Sequence, residues 1–302
     1  MHRYCLGLIC CFLFGFTTLQ GAEPQRFVFM ASTIGPIDSG IVAALEDQFE
    51  KETGIRVRHV GAGTGAALDL ARKCNIDLVM VHAKALEEKF ITDGFGTERI
   101  PLMYNDFVIM GPEADPAGIK GMKTAAEALQ AISAKQAPFI SRGDKSGTHV
   151  AELDLWAKAG IKPEGAWYRV YEKGADGNVP TLLYTGEQAA YTVIDRATYL
   201  SVKDKIKLAV LVEGDEALLN HISLIPVSKR KCPGVNDKDA MNFVNWLTAP
   251  CKGQKIIAGF GKDTYGQPLF IPESTAWKAT SGACKGAKDC KPGSKGCPAK
   301  KK

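Results

Sequence analysis

Between residues 26 and 110 the chain alternates short β-rich runs with helix-length runs that carry one apolar face. That alternation restricts the fold more than any other feature of the sequence. Phe27-Val28-Phe29-Met30 reads as a strand, and Ile41, Val42, Leu45 and Phe49 mark one face of a helix capped by Asp38 or Ser39 and stopped by Gly54. Ile55 to Val60 is a second strand, Ala66 to Lys73 a helix, and Ile76 to Val81 a third strand. A βαβαβ order predicts a parallel sheet with helices on both faces. Pro101 to Met110 is strand-like again, with Gly111-Pro112 as its breaker.

A second region follows. It holds a helix over 124–135, a strand at Phe139-Ile140, a helix from Ser146 to Ala159, a glycine-rich turn (GADGNV), a helix over 177–184 and a strand from Ala189 to Ile194. Lys207 to Val212 and Leu224 to Val227 return to strand character; Lys238 to Thr248 and then Cys251 to Gly259 are helical. The economical arrangement is an α/β domain interrupted by a second one. It makes two lobes, 23–110 plus 206–277 and 111–205, each a mixed, mostly parallel sheet flanked by helices, with a ligand cleft between them.

The formal charge of +5 on 302 residues invites a nucleic-acid or membrane-surface reading only if it lies on the folded body. It does not. From Lys278 to Lys302 eight lysines face one acid, Asp289, and Arg3 is the single charge of residues 1–22, which leaves residues 23–277 at −3. No nucleic-acid partner is expected. The first 22 residues pair a basic start with an apolar run, Leu6 to Phe16, of about half the length a membrane span needs, so they read as a cleavable signal peptide. No other run is long enough to span a bilayer. After export, Cys74, Cys232, Cys251, Cys284, Cys290 and Cys297 remain, which allow about 15 disulfide connectivities. Cys232 and Cys251, flanking one helix, are a candidate pair. The segment 278–302 reads as a disordered Lys/Cys-rich tail.

Gly61-Ala62-Gly63-Thr64-Gly65-Ala66 sits between a strand and a helix and imitates a dinucleotide fingerprint. The acidic partner about 20 positions on is missing, with His82 and Ala83 there instead. Glycines before a helix N-terminus still let backbone N–H groups approach an anion. Ser141-Arg142-Gly143-Asp144-Lys145-Ser146-Gly147-Thr148-His149 offers hydroxyls, a guanidinium and helix-start amides together. Each hydrogen bond to a charged group is worth about 1.5–3 kcal/mol, so several on one small anion give micromolar or tighter binding. The serine lacks the G-x-S-x-G setting of a hydrolase nucleophile, and the histidines His59, His82, His149 and His221 lack metal-ligand spacing. Neither an enzyme, a cofactor nor a metal cation is expected. Ser32-Thr33 ends the first strand and Ser39 precedes the first helix, at the edge where α/β sheets bind ligands; Asp38 and Ser39 also read as ordinary caps.

These residues carry a family resemblance from about Val28 to Pro272. DSG at 38–40, GTG at 63–65, IDLVMVHA at 76–83, MYNDFVIMGPEADPAGI at 103–119, SRGDKSGTH at 141–149 and AAYTVIDRATYL at 189–200 are similar to the periplasmic tungstate-binding proteins of ABC importers (the Tup type), relatives of the molybdate- and sulfate-binding proteins. FVNWLTAP, GQKIIAGFG and YGQPLFIP continue it near the end. The resemblance implies a type II, two-lobe periplasmic binding protein, monomeric, with an ABC permease as partner and tungstate, or also molybdate, as ligand. It implies an oxyanion site from Ser32, Thr33, Ser39, Thr64, Ser141, Arg142, Ser146, Gly147 and Thr148. Ile34, Gly35 and Pro36 interrupt the Thr/Ser run that the family usually places before its DSG, which leaves the ranking of tungstate over molybdate open.

Tungstate and molybdate are fully deprotonated near neutral pH, so their site should present donors alone. Phosphate keeps a proton and gains from a carboxylate, and Asp38 and Asp144 are expected to point away as caps or as cation partners. A sulfate or phosphate clamp and an exported phosphatase-like hydrolase are the alternatives.

Overall fold

The computed structural model describes residues 25–281. The signal-peptide reading, Cys284, Cys290, Cys297 and all of the tail beyond Ser281 lie outside the described residues. Lys278 and Ala279, expected in the tail, instead end a short helix.

In chain order the elements are β1 (Phe27–Ser32), α1 (Ile34–Asp38), α2 (Ile41–Thr53), β2 (Arg56–Gly61), α3 (Thr64–Arg72), β3 (Leu78–Val81), α4 (Lys84–Thr92) and β4 (Ile100–Pro112). Then come α5 (Ala125–Ala134), β5 (Phe139–Ser141), α6 (Gly147–Lys158), β6 (Tyr168–Val170), α7 (Asn178–Glu187), β7 (Thr192–Asp195) and α8 (Arg196–Val202). The chain closes with β8 (Leu208–Val212), β9 (Leu219–Pro226), α9 (Asp237–Thr248), α10 (Gly253–Gly259), α11 (Lys262–Tyr265), β10 (Ile271–Pro272) and α12 (Thr275–Ala279).

The first sheet runs β10-β4-β9-β3-β1-β2. β1 lies between β2 and β3, parallel to both, as the βαβαβ pattern requires. Its strands alternate faces with period two. Leu78 and Met80 join Val28, Met30 and the apolar faces of α2, α9 and α10 in one core. Val79 and Val81 join Ala31, the α3 residues Ala67, Leu68 and Ala71, and Phe90 of α4 in the other. The second part repeats the scheme on the far end of β4. Phe107 and Ile109 pack with α5 and α6, while Val108 and Met110 pack with Leu182 of α7 and Val202 at the end of α8. The molecule is thus a two-lobe α/β protein with mixed sheets, although the proportion differs from the sequence reading. Three strand pairings are parallel (β1·β2, β1·β3, β5·β6) and five antiparallel. The reason is that β4 and β9 run back through the sheet between the lobes.

Gly111-Pro112 does not break β4, which continues to Pro112. A Cβ at Gly111 would lie 2.4 Å from the Tyr191 ring and 2.8 Å from Leu211, so the glycine is there for close packing. α2 begins after Gly40 in the left-handed region (φ 83°), which takes the cap position from Asp38 and Ser39 because residues 34–38 wind into a short helix of their own; Ser39 Oγ still accepts the Ile41 N–H at 3.4 Å. Gly54 stops α2 in the left-handed conformation (φ 71°). Cys232 bonds Cys74, which overturns the pairing with Cys251. That bond joins the turn before β3 to the loop after β9 across 158 residues of chain.

Candidate oxyanion site

β1 ends at Ser32, and Thr33 turns the chain into α1. The Thr33 N–H donates to the Met80 carbonyl of β3 at 3.1 Å, which holds the residue at the sheet edge. Thr33 is 2% exposed, and its Oγ1 has no hydrogen-bond partner among the described residues. An unmade hydrogen bond on a buried hydroxyl costs about 1–3 kcal/mol, so this atom is free to donate to an acceptor brought from outside. Ser32, fully buried, donates to the Thr33 carbonyl at 3.2 Å. Thr64, half-buried, opens α3 after the glycine turn. Ser39 is differently placed: it closes α1, and its hydroxyl donates to the Pro36 carbonyl at 2.8 Å. Asp38 is exposed and caps nothing.

On the opposite side the loop 141–146 leads from β5 into α6. Ser146 caps that helix by accepting from the His149 N–H, and its own N–H donates to Asp144 Oδ1 at 3.1 Å. Gly147 and Thr148 supply the first amides of the helix, where no intrahelical acceptor exists. The Arg142 guanidinium is held on three sides. Nε donates to the Gly174 carbonyl at 3.0 Å, Nη1 to Asn178 Oδ1, and Nη2 pairs with Asp144 at 2.9 Å. A guanidinium has five N–H groups, so two remain for a ligand. Gly174 must be glycine, since a Cβ there would fall 1.8 Å from the Arg142 carbonyl oxygen. Asp144 acts as a cation partner, as expected. Burial opposes its ionisation, but the Ser146 hydrogen bonds and the Arg142 charge outweigh it and hold the carboxyl below its ordinary value.

Ser141 departs from the sequence reading. Its hydroxyl is fully buried and donates to Glu152 Oε2 at 2.7 Å, a carboxylate that also accepts from Tyr168 Oη (2.7 Å) and Trp156 Nε1 (3.2 Å). Burial pushes Glu152 up to about 7 against those hydrogen bonds. Ser141 therefore anchors the loop from behind.

The two halves face each other. A Cβ at Gly147 would lie 3.4 Å from His82 Cε1, so the first residue of α6 sits against the end of β3. Sequence reasoning gives His82 no site role: it stands where a dinucleotide fingerprint wants an acid, and it lacks metal-ligand spacing. Burial lowers its pKa and keeps it neutral near pH 7. His149 is lowered too, by burial first, and its Nδ1 accepts the Lys145 N–H at 2.9 Å. Arg142 and Asp144 thus meet as one cation and one anion beside neutral hydroxyls, amides and imidazoles.

A family model described as a PBP superfamily domain matches residues 19–250, and this defines the class: two-lobed binding proteins. The tungstate-binding protein TupA of Peptoclostridium acidaminophilum is 41% identical over 258 residues, 85% of this chain and 89% of its own. TupA of Campylobacter jejuni is 35% identical over 246 residues, 80% of this chain and 89% of its own. The solved tungstate-binding protein TupA from Desulfovibrio alaskensis G20 superposes with a TM-score of 0.75 at 42% identity, covering 82% of this chain and 99% of that one. The chain belongs to the PBP superfamily and, within it, to the family of these tungstate-binding proteins.

Proposed function

We propose that this protein captures tungstate, and molybdate by the same geometry, between its lobes and hands it to the permease of an ABC importer. It makes and breaks no bond. One observation carries the reading: Thr33 Oγ1 is buried without a partner just past the end of β1, next to β3, whose following residue His82 meets Gly147 at the start of α6. Thr33 and Thr64 form one jaw; Arg142, Ser146, Gly147 and Thr148 form the other. Ser32, Ser39 and Ser141 act one layer back, since their hydroxyl protons are already committed. An all-donor site suits a dianion with no proton. The two carboxylates that a phosphate site would use are turned elsewhere, Asp38 to solvent and Asp144 onto Arg142.

The lobes divide where β4 changes partners and again near residue 218, which moves β8 from the first lobe, where residues 206–277 would put it, to the second, with whose core it packs. Closure about these crossings presents the loaded shape to the permease. The protein works as a monomer outside the cytoplasm, exported through residues 1–22. The Cys74–Cys232 bond fits such an oxidising compartment. Calorimetric titration of the mature protein with tungstate, molybdate, sulfate and phosphate tests the reading. Heat with the first two supports it, and heat with phosphate alone would sink it.

A further inference from the structure

The ties that hold Arg142 do not end at Asn178. Asn178 is the first residue of α7, and while its Oδ1 accepts from Arg142, its Nδ2 donates to Asp195 Oδ2 at 2.7 Å. Asp195 ends β7 and caps α8, accepting from Thr198 N at 2.9 Å and from Thr198 Oγ1 at 2.5 Å. The side chain of the next residue, Arg196, reaches the crossings between the lobes. Its Nε donates to both oxygens of Asp106 (2.9 and 3.0 Å), and its Nη2 to Asp106 Oδ2 (2.5 Å) and Glu213 Oε2 (2.7 Å).

Those two carboxylates stand on the two chain crossings between the lobes. Asp106 pairs in register with Leu219 of β9, whereas Phe107 pairs with Asp195 of β7, so β4 changes sheet between them. Glu213 follows β8, on the connection that returns to β9. One guanidinium from the second lobe therefore staples both passages at the level where a hinge would bend. Bidentate arginine–carboxylate pairs fix direction as well as distance, which a lysine in the same place could not do.

We propose that Asn178 and Asp195 are positioning residues for Arg142, and that through Arg196 the same run of contacts links capture of the anion to closure of the lobes. The inference rests on the reading of Arg142 as an oxyanion ligand. Asn178 gives Arg142 its acceptor, Asp195 fixes which way the Asn178 amide points, and Arg196 favours the closed arrangement in which Gly147 meets His82. A site held in this way meets its ligand with the guanidinium already aimed, so little ordering remains for the moment of binding.

The experiment is a double-mutant cycle on the full mature chain, read by calorimetry with sodium tungstate. Asn178 is the residue to change because Asp195 also caps α8. Asn178→Ala is expected to weaken tungstate binding roughly tenfold in the native background and to have no further effect beside Arg142→Ala. An equal loss in both backgrounds would show a merely structural role and overturn the positioning claim. If Arg142→Ala itself leaves affinity unchanged, the ligand reading of Arg142 fails and takes this proposal with it, while tungstate capture stands. A second arm needs no ligand. Small-angle scattering of ligand-free Arg196→Met, checked for a native melting transition, should give a larger radius of gyration than the native chain, with Arg196→Lys in between. An unchanged radius in both variants would overturn the link to closure.

Discussion

The two jaws of the cleft are built on different principles. The first-lobe jaw offers neutral hydroxyls at strand and helix ends, and at Thr33 one of them is buried with nothing to bond. The second-lobe jaw is a finished network: Arg142 is tied to Gly174, Asn178 and Asp144, Ser146 caps α6, and Glu152 gathers Ser141, Tyr168 and Trp156 behind it. The scaffolds differ as well: the first lobe carries the Cys74–Cys232 bond, while both hold a buried carboxylate, Glu87 in the first and Glu152 in the second. In the proposed clamp, one jaw is aimed before the ligand arrives, and the other is completed by it. The body that does this is itself mildly acidic, so capture rests on a few directed donors instead of net charge.

The contrast can be pulled apart variant by variant. The largest effect should fall on the first scaffold. Cys74→Ser with Cys232→Ser removes a cross-link spanning 158 residues, for which chain entropy gives about 5 kcal/mol, and denaturant unfolding should show a loss of about 2–5 kcal/mol with tungstate affinity kept. Unchanged stability would mean that the lobe does not lean on its disulfide.

The second scaffold should answer to pH. Burial raises the folded-state pKa of Glu152 to about 7 from its ordinary 4.5, so the folded chain holds the proton more tightly than the unfolded chain. That stabilisation is complete below pH 4.5 and is lost as pH rises through about 7, a swing of about 3 kcal/mol. Glu152→Gln should flatten the stability profile over this window, and a profile of unchanged slope would place the titration elsewhere.

Between the jaws, Arg142→Ala deletes two available charged donors. It should cost about 3 kcal/mol, roughly a hundredfold in tungstate affinity by calorimetry. Thr33→Val should cost about 1.5 kcal/mol of binding, near tenfold, yet raise the melting temperature of the ligand-free protein, because it removes a buried hydroxyl that has no partner. Loss of stability in free Thr33→Val would show that the hydroxyl is satisfied without ligand. These two variants together tell the aimed jaw from the completed one.

Much of this was legible in the sequence, in unequal measure. The continuous apolar run Leu78 to Val81 and the helix face Ile41, Val42, Leu45 and Phe49 are local signals, and they placed β3 and α2 where they stand. The loop 141–149 was recognisable because its hydroxyls, guanidinium and helix start are adjacent in the chain. What could not be seen depends on distant partners. Nothing near Ser141 in the chain announces that its hydroxyl donates to Glu152 on the next helix. Asn178 looks like an ordinary helix start until Arg142 and Asp195 are brought to it across 36 and 17 positions. Gly111 reads as a breaker because nothing nearby announces Tyr191 against its backbone. Cys74 and Cys232 are 158 positions apart, and sequence spacing ranks such a pair no higher than its rivals. α4, alongside the first sheet, was missed because its apolar face is short, with Phe90 its one fully buried hydrophobic residue.

The central claim is that one oxyanion is gripped from both jaws at once. A crystal of the mature protein with tungstate, phased on the anomalous signal of tungsten, tests it directly. The account predicts a single peak in the cleft, with tungstate oxygens about 2.7–3.2 Å from Thr33 Oγ1 on one side and from the Gly147 and Thr148 amides and an Arg142 Nη on the other. A peak bound by one jaw alone, or one lying outside the cleft, would contradict it.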